Sequence, residues 1–255
     1  MSEVKQGQAA LDVLYESDEK KGYASFNSGT NYKVKVLGSA DLMTFFNYGI
    51  WKVVDSFVPE TPSNKSKKGY PIEDLTPWDL AWKYHKDKSE HYQDEHGTEA
   101  SKYRAKKRVA MGFLDLDSGE QIVIDVSFNQ AQAIHGVIKK NEKKIGKKAF
   151  ELSKEGSGKS TIVSLMPEDL EDLTDKQRKA FDGAPTEFDV ALFEDISYEA
   201  DYDEQIERLV KAGFDVSLIG LEMPNKADKA ESAEGQGDDG EVETLQDIED
   251  SDLPF

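Results

Sequence analysis

The sequence predicts an α+β fold, a small antiparallel β-barrel with a helical insertion and C-terminal helices, on three observations. Short apolar runs, alternating or bounded by turn residues, recur between residues 23 and 166. Helical spacing within that stretch is confined to an insertion and to one later segment. Beyond Pro224 the composition turns to Ala, Gly, Glu and Asp, with ten acidic and no basic residues from Ala230 onward.

Residues 1–22 read as a flexible arm with a helical turn or two around Ala9–Leu14. Tyr32-Lys-Val-Lys-Val-Leu37 alternates and stops at Gly38, as a half-buried strand does. Gly49–Val58 reads as a second strand ended by Pro59, and the polar stretch 60–69 as a loop. Thr76-Pro77-Trp78-Asp79 is a helix start, with Thr76 as N-cap and Pro77 first in the helix. Trp78 and Trp82 then fall four apart on one face. Arg108–Leu116 and Gln121–Ser127 flank the turn 117–120 and form a hairpin. Asn129 to about Lys144 has helical spacing, with Ala133, Ile134, Val137 and Ile138 inward. Phe150–Leu152 and Ser160–Met166 flank a Gly-rich turn, and 167–221 reads as mainly helical, with Asp203–Ala212 the firmest helix. This order fits a Greek-key barrel of the OB-fold type without demanding it. The expected organisation is an arm over 1–22, a core over 23–221 with an insertion at about 60–104, and an acidic tail over 222–255. That tail has too little apolar surface to order itself.

Charge divides the chain in the same places. Of 255 residues, 32 are basic and 51 acidic, for a net of −19. Residues 64–161 nevertheless carry 19 basic against 15 acidic side chains, whereas 162–255 carry 7 against 28. A basic body with an acidic appendage suits a polyanionic ligand and a steered partner. With no cysteine, disulfides and thiolate metal sites are excluded. No apolar leader or run approaching 18 apolar residues occurs, so the expectation is a soluble cytoplasmic protein with no membrane partner.

Lys102-Tyr-Arg-Ala-Lys-Lys-Arg108 sets five cations around a tyrosine, the mixture a single-strand groove needs. Cations follow phosphates and release counterions, and rings stack on bases. Trp51, Trp82 and Tyr84 supply further rings, and Phe45, Phe46, Tyr48 and Tyr92 lie nearby in sequence. Lys139 and Lys140 head a second lysine cluster that continues through Lys143, Lys144, Lys147 and Lys148. The expected DNA-binding set is Trp51, Trp82, Tyr84, Lys102, Tyr103, Arg104, Lys106, Lys107, Arg108, Lys139 and Lys140. Gly156–Thr161 tempts towards a phosphate loop, but Ser153 stands where that pattern's first glycine belongs and a β-like run follows. It reads as a hairpin turn, from which Lys154 and Lys159 still reach phosphate. His85, His91 and His96 share one polar insertion without a familiar metal spacing, so no metal or cofactor is expected. With no nucleophile elbow or standout carboxylate pair, no enzyme is expected either. The end Asp250-Ser-Asp252-Leu253-Pro254-Phe255 presents an aromatic ring and a terminal carboxylate on an acidic leader, a form suited to an apolar pocket beside a cation.

That tip resembles the Asp-Ile-Pro-Phe ending of bacterial single-stranded DNA-binding proteins, with leucine in place of isoleucine. The layout over residues 23–215 resembles the T-even-type bacteriophage single-stranded DNA-binding protein family, best at Ser101–Phe113. The resemblance implies a monomeric OB-fold in which Tyr103 stacks on a base and Lys106, Lys107 and Arg108 meet phosphates. It further implies a role in phage DNA replication, recombination and repair within a bacterial host, with the tip recruiting partner enzymes and the tail competing for the DNA cleft. The family's zinc-binding cysteines and its basic N-terminal cooperativity motif are missing. The rival expectations are a nucleotide-binding enzyme that uses Gly156–Thr161 and a protein-only replication adaptor.

Overall fold

The computed structural model describes residues 22–194 and 196–224. The predicted arm before them, and the acidic tail and tip from residue 225 onward, lie outside the described residues. The fold is α+β, with a mixed sheet of many strands and, among the described residues, five α-helices. In chain order these are β1 (Asn31–Lys35), β2 (Leu42–Ile50), β3 (Val54–Pro59), β4 (Asn64–Lys65), β5 (Pro71–Glu73), α1 (Pro77–Lys88) and α2 (Glu95–Tyr103). There follow β6 (Lys106–Asp115), β7 (Gln121–Ser127), α3 (Phe128–Lys140), β8 (Ala149–Glu155), β9 (Ile162–Glu168), α4 (Asp175–Asp182), β10 (Glu199–Ala200) and α5 (Tyr202–Lys211).

β6 organises the sheet. One edge pairs with β2 from Leu42↔Met111 to Asn47↔Lys106 and then with β1 at Val34↔Asp115; the other edge pairs with β7. β1 continues to β8 and β8 to β9, while β2 continues to β3 and, in parallel, to β10. β7 and β9 are not paired, so no closed barrel forms. α3 packs against β6, β7 and β9 and contributes Ala131, Ile134 and Ile138 to the core between them.

Side-chain period sorts the cores. Val109, Met111 and Phe113 of β6 face that first core with Val34, Ile124, Phe150 and Leu165. The even positions face the other way, where Ala110 and Val123 are covered by Phe188 and Phe193 of the chain after α4. Gly112 permits this cover, since a Cβ there would meet the Phe188 ring at 2.5 Å. A second core joins Tyr48, Phe57, Trp78 and Tyr103 to Ile206, Leu209 and Phe214, tying the insertion to α5.

The Thr76 N-cap with Pro77 is present and carries a full capping box with Asp79. The β6–β7 hairpin, the β8–β9 hairpin and the helix at 203–212 also stand where the sequence places them. Other expectations are corrected. The strand expected over Gly49–Val58 is broken by a turn at 51–53, where Lys52 has φ 60°; β2 ends and β3 begins around it. β2 escapes sequence pattern because apolar residues on both its faces pack against cores, so its apolar residues do not alternate. The loop at 60–69 contains β4 and leads into β5, a separate small hairpin. Ala133 points to solvent and Ala131 takes its place in the core; α3 stops at Lys140, capped by Asn141. Between 167 and 221 only α4 and α5 are α-helices among the described residues. Among the described residues no helix is long and apolar enough to cross a membrane.

Candidate nucleic-acid interface

The β4–β5 hairpin is anchored from below by a buried polar knot. Asp79, at the start of α1, accepts from Tyr48 Oη at 2.8 Å and from Thr76 Oγ1 at 3.0 Å. Lys65 of β4 lies 3.6 Å from the Asp79 carboxylate and donates to Ser63 Oγ at 2.6 Å and to Tyr48 Oη at 3.1 Å. Its side chain is 8% exposed and that of Asp79 is 1% exposed. A buried cation is tolerated only with such partners. Burial pushes the Lys65 ammonium below its ordinary range, and Asp79 pulls the other way. Burial likewise raises the Tyr48 phenol, helped by the Asp79 charge, so it remains a donor.

On this anchor the hairpin carries Lys67, Lys68 and Tyr70 to the rim where the second core, with Phe46 and Trp82, meets the first, with Phe128. Gly69 closes the turn with φ 80°, tight against the Phe46 ring of β2. The Tyr70 ring stacks on Trp82 of α1, with centroids 5.9 Å apart and planes at 27°. The Arg104 guanidinium, just past α2, lies over the same Tyr70 ring at 5.2 Å. Its Nε is buried and has no hydrogen-bond partner among the described residues. Lys107 stands opposite Phe46 across the β2–β6 ladder, with its ammonium 4.1 Å from the Phe128 ring at the start of α3. Lys65 adds a cation 5.3 Å from the Phe46 ring. Trp82, Tyr70, Phe46 and Phe128 thus form a line of half-buried rings accompanied by Lys65, Lys67, Lys68, Arg104 and Lys107. Neither Arg104 nor Lys107 is paired with a carboxylate among the described residues.

Of the expected residues, the structure brings Trp82 and Arg104 together on Tyr70 and sets Lys107 against Phe128 and opposite Phe46. Tyr103 is corrected: at 3% exposed it lies within the second core between Trp78, His85 and Phe214, and offers no face to a base. Tyr84 leaves α1 on a different side from Trp82 and packs its edge on Phe214, its hydroxyl accepting from Lys88. Trp51 stands on the β2–β3 turn beside Lys52, outside the line of rings. The five-cation run is dispersed by strand alternation. Lys106 and Arg108 face opposite to Lys107, and Arg108 is held by Asp125 at 3.0 Å. Lys102 turns to Glu99 on the exposed side of α2. Lys139 and Lys140 are exposed at the far end of α3, about 18 Å along the helix from Phe128. Asp250, Asp252, Leu253, Pro254 and Phe255 lie outside the described residues.

Lys65, Lys67, Lys68, Tyr70 and Phe128 are absent from the expected set. The run Lys65-Ser-Lys-Lys-Gly-Tyr70 interleaves cations and a ring as 102–108 does, and that is the signal a sequence offers for it. Gly156–Thr161 is a hairpin turn between β8 and β9, with one turn of 3-10 helix and a strand after it in place of a phosphate-loop helix. Lys154 is buried over the Phe26 ring at 5.6 Å and does not reach out from that turn. Within the insertion His85 and His96 bring their Nδ1 atoms to 3.0 Å, and His91 stands exposed. Among the described residues no group of three or more His, Asp or Glu is placed to hold a metal ion. No protein-family model, curated protein or solved structure matches this chain.

Proposed function

We propose that this chain binds single-stranded DNA without sequence preference along the rim of rings and cations that runs from Trp82 through Tyr70 and Phe46 to Phe128. The observation that carries the proposal is the Arg104–Tyr70–Trp82 stack, a cation and two rings converging on one another. Every base has a π-face, so stacking tolerates sequence and contributes about 1–3 kcal/mol per base. The backbone phosphates of the same strand then meet Lys67, Lys68, Arg104 and Lys107. The strand path supports an OB-fold reading. β1 with β2 acts as a bent first strand, β6 and β7 follow, α3 intervenes, and β8 and β9 complete the order, short of the β7–β9 closure. On that path the insertion carrying Lys65, Tyr70, Trp82 and Arg104 is the loop between the first two strands, one of the two loops with which such folds hold oligonucleotides.

The protein has no catalytic role in this proposal. It coats single strands during phage DNA replication, recombination and repair in a bacterial cell, and Asp250–Phe255 recruits partner enzymes. The test is a titration of the full chain with oligo-dT, following tryptophan emission at two salt concentrations. Binding is expected to quench emission and to weaken steeply with salt. Trp82→Phe is expected to remove most of the quenching while retaining binding. Absence of binding at low salt, or quenching unchanged in Trp82→Phe, would overturn the proposal. Deleting Leu253–Phe255 is expected to leave DNA affinity unchanged.

A further inference from the structure

The two helices of the insertion meet through a pair of imidazoles. A contact of 3.0 Å between His85 Nδ1 and His96 Nδ1 requires one ring to donate its N–H and the other to accept with its lone pair. Two neutral rings satisfy this, and so does a pair that holds one extra proton. A doubly protonated pair has only donors at the contact, and sets two positive charges side by side.

The pair is built into the second core. The His85 ring lies parallel to Tyr103, with centroids 5.7 Å apart and planes at 5°, and it meets the Tyr84 and Phe214 rings edge-on. Tyr103 in turn packs on Trp78 and Phe214. The charged neighbours are Lys88 on α1 and Glu99 and Lys102 on α2, and the turn after α5 presents the Phe214 ring. Lys88 is held by Tyr84 Oη and Lys102 by Glu99. Burial, then His96, keeps the His85 imidazole below its ordinary range; Glu99 opposes this and the two lysines reinforce it. The mechanical consequence lies nearby in the chain. α2 ends at Tyr103, immediately before Arg104, and α1 carries Trp82, the two residues that converge on Tyr70.

We propose that His85 and His96 form an acid-sensitive latch that holds α2 against α1 and thereby keeps Arg104 and Trp82 together on Tyr70. The latch stands on the helix contact alone; its effect on ligand rests on the proposed nucleic-acid function. Because His85 is held below the unfolded value of about 6.5, the unfolded chain takes up more protons over that interval. The latch's contribution is therefore complete above about pH 6.5 and is lost as pH falls through the interval down to the lowered folded value.

The test compares wild type with His96→Gln and with the His85→Gln, His96→Gln double variant, all as full chains, by thermal denaturation near pH 7.5 and near pH 5.5. Wild type is expected to lose about 2–4 °C more in Tm than the double variant between the two conditions. Equal losses would overturn the latch. Should the variants fail to fold, imidazole NMR titration of wild type decides: the latch requires the His85 imidazole to titrate below its ordinary range, and an ordinary His85 titration refutes it. Oligo-dT affinity measured at the same two pH values is expected to fall more in wild type than in the double variant. A Tm difference without an affinity difference would keep the latch and overturn its link to the groove.

Discussion

The rim between the two cores and the exposed end of α3 are both rich in cations, yet they are built differently. At the rim, Arg104 and Lys107 lie over Tyr70 and Phe128, and Lys65 is clamped by Asp79 beneath a hairpin. Around the end of α3, Lys139, Lys140, Lys143, Lys144 and Lys147 stand exposed, and Lys148 is held by Asp169 at 2.5 Å. Phe150, the nearest ring in sequence, is buried in the first core. The first arrangement offers stacking faces and fixed positive charge together, whereas the second offers charge alone. Cations without rings bind any polyanion weakly and with full sensitivity to salt; rings held at fixed spacing among cations select unpaired bases. Charge density along the chain therefore identifies neither region as the interface, and the placement of rings separates them.

The largest expected effect comes from undoing what holds the rim in place. Asp79→Ala leaves the Lys65 ammonium and the Tyr48 hydroxyl buried without their carboxylate and removes the capping box of α1. A loss of about 3–5 kcal/mol in unfolding free energy is expected, measurable by urea denaturation. A change within about 0.5 kcal/mol would mean that the hairpin does not depend on the buried knot.

Removing a ring is the next largest. Trp82→Ala is expected to weaken oligo-dT binding by about 1–3 kcal/mol at fixed salt, through loss of a stacking face and of support for Tyr70. Tyr103→Phe, a change confined to the second core, is expected to leave affinity intact, and a comparable loss there would place the bases elsewhere. The smallest effects set the two cation regions against each other. Lys107→Ala is expected to lower the salt slope of short-oligomer binding by about 0.7, the single-strand value for one phosphate contact. Lys140→Ala, about 18 Å along α3 from Phe128, is expected to leave both that slope and stability unchanged, the latter to within about 0.5 kcal/mol. If Lys140→Ala changed the slope as much as Lys107→Ala does, the distinction between the two regions would collapse.

Local order was legible where a local cause exists. Thr76-Pro77-Trp78-Asp79 carries its own N-cap, first-turn proline and capping partner, and the helix begins there. The turn at 117–120 and the glycines at 156 and 158 likewise mark hairpins whose strands pair as their alternation implies. β2 was not legible, because a strand with apolar residues packed on both faces loses the alternation by which strands are recognised. The cluster at 102–108 was legible as composition and misleading as geometry. A helix end followed by a strand sends Lys102, Tyr103, Lys107 and Arg108 in different directions within seven residues.

The sequence by itself determined the class of fold, the hairpins, the helix starts, and the division between a basic middle and an acidic end, since each follows from short-range pattern or from composition. Only the tertiary structure decided which rings are exposed and which cations share a surface. Tyr70 meets Trp82 and Arg104 because a two-strand hairpin, held by Asp79, lies against two helices and a distant strand. Those contacts span residues 46 to 128, and burial, set by packing between elements, has no expression in any short window of the chain.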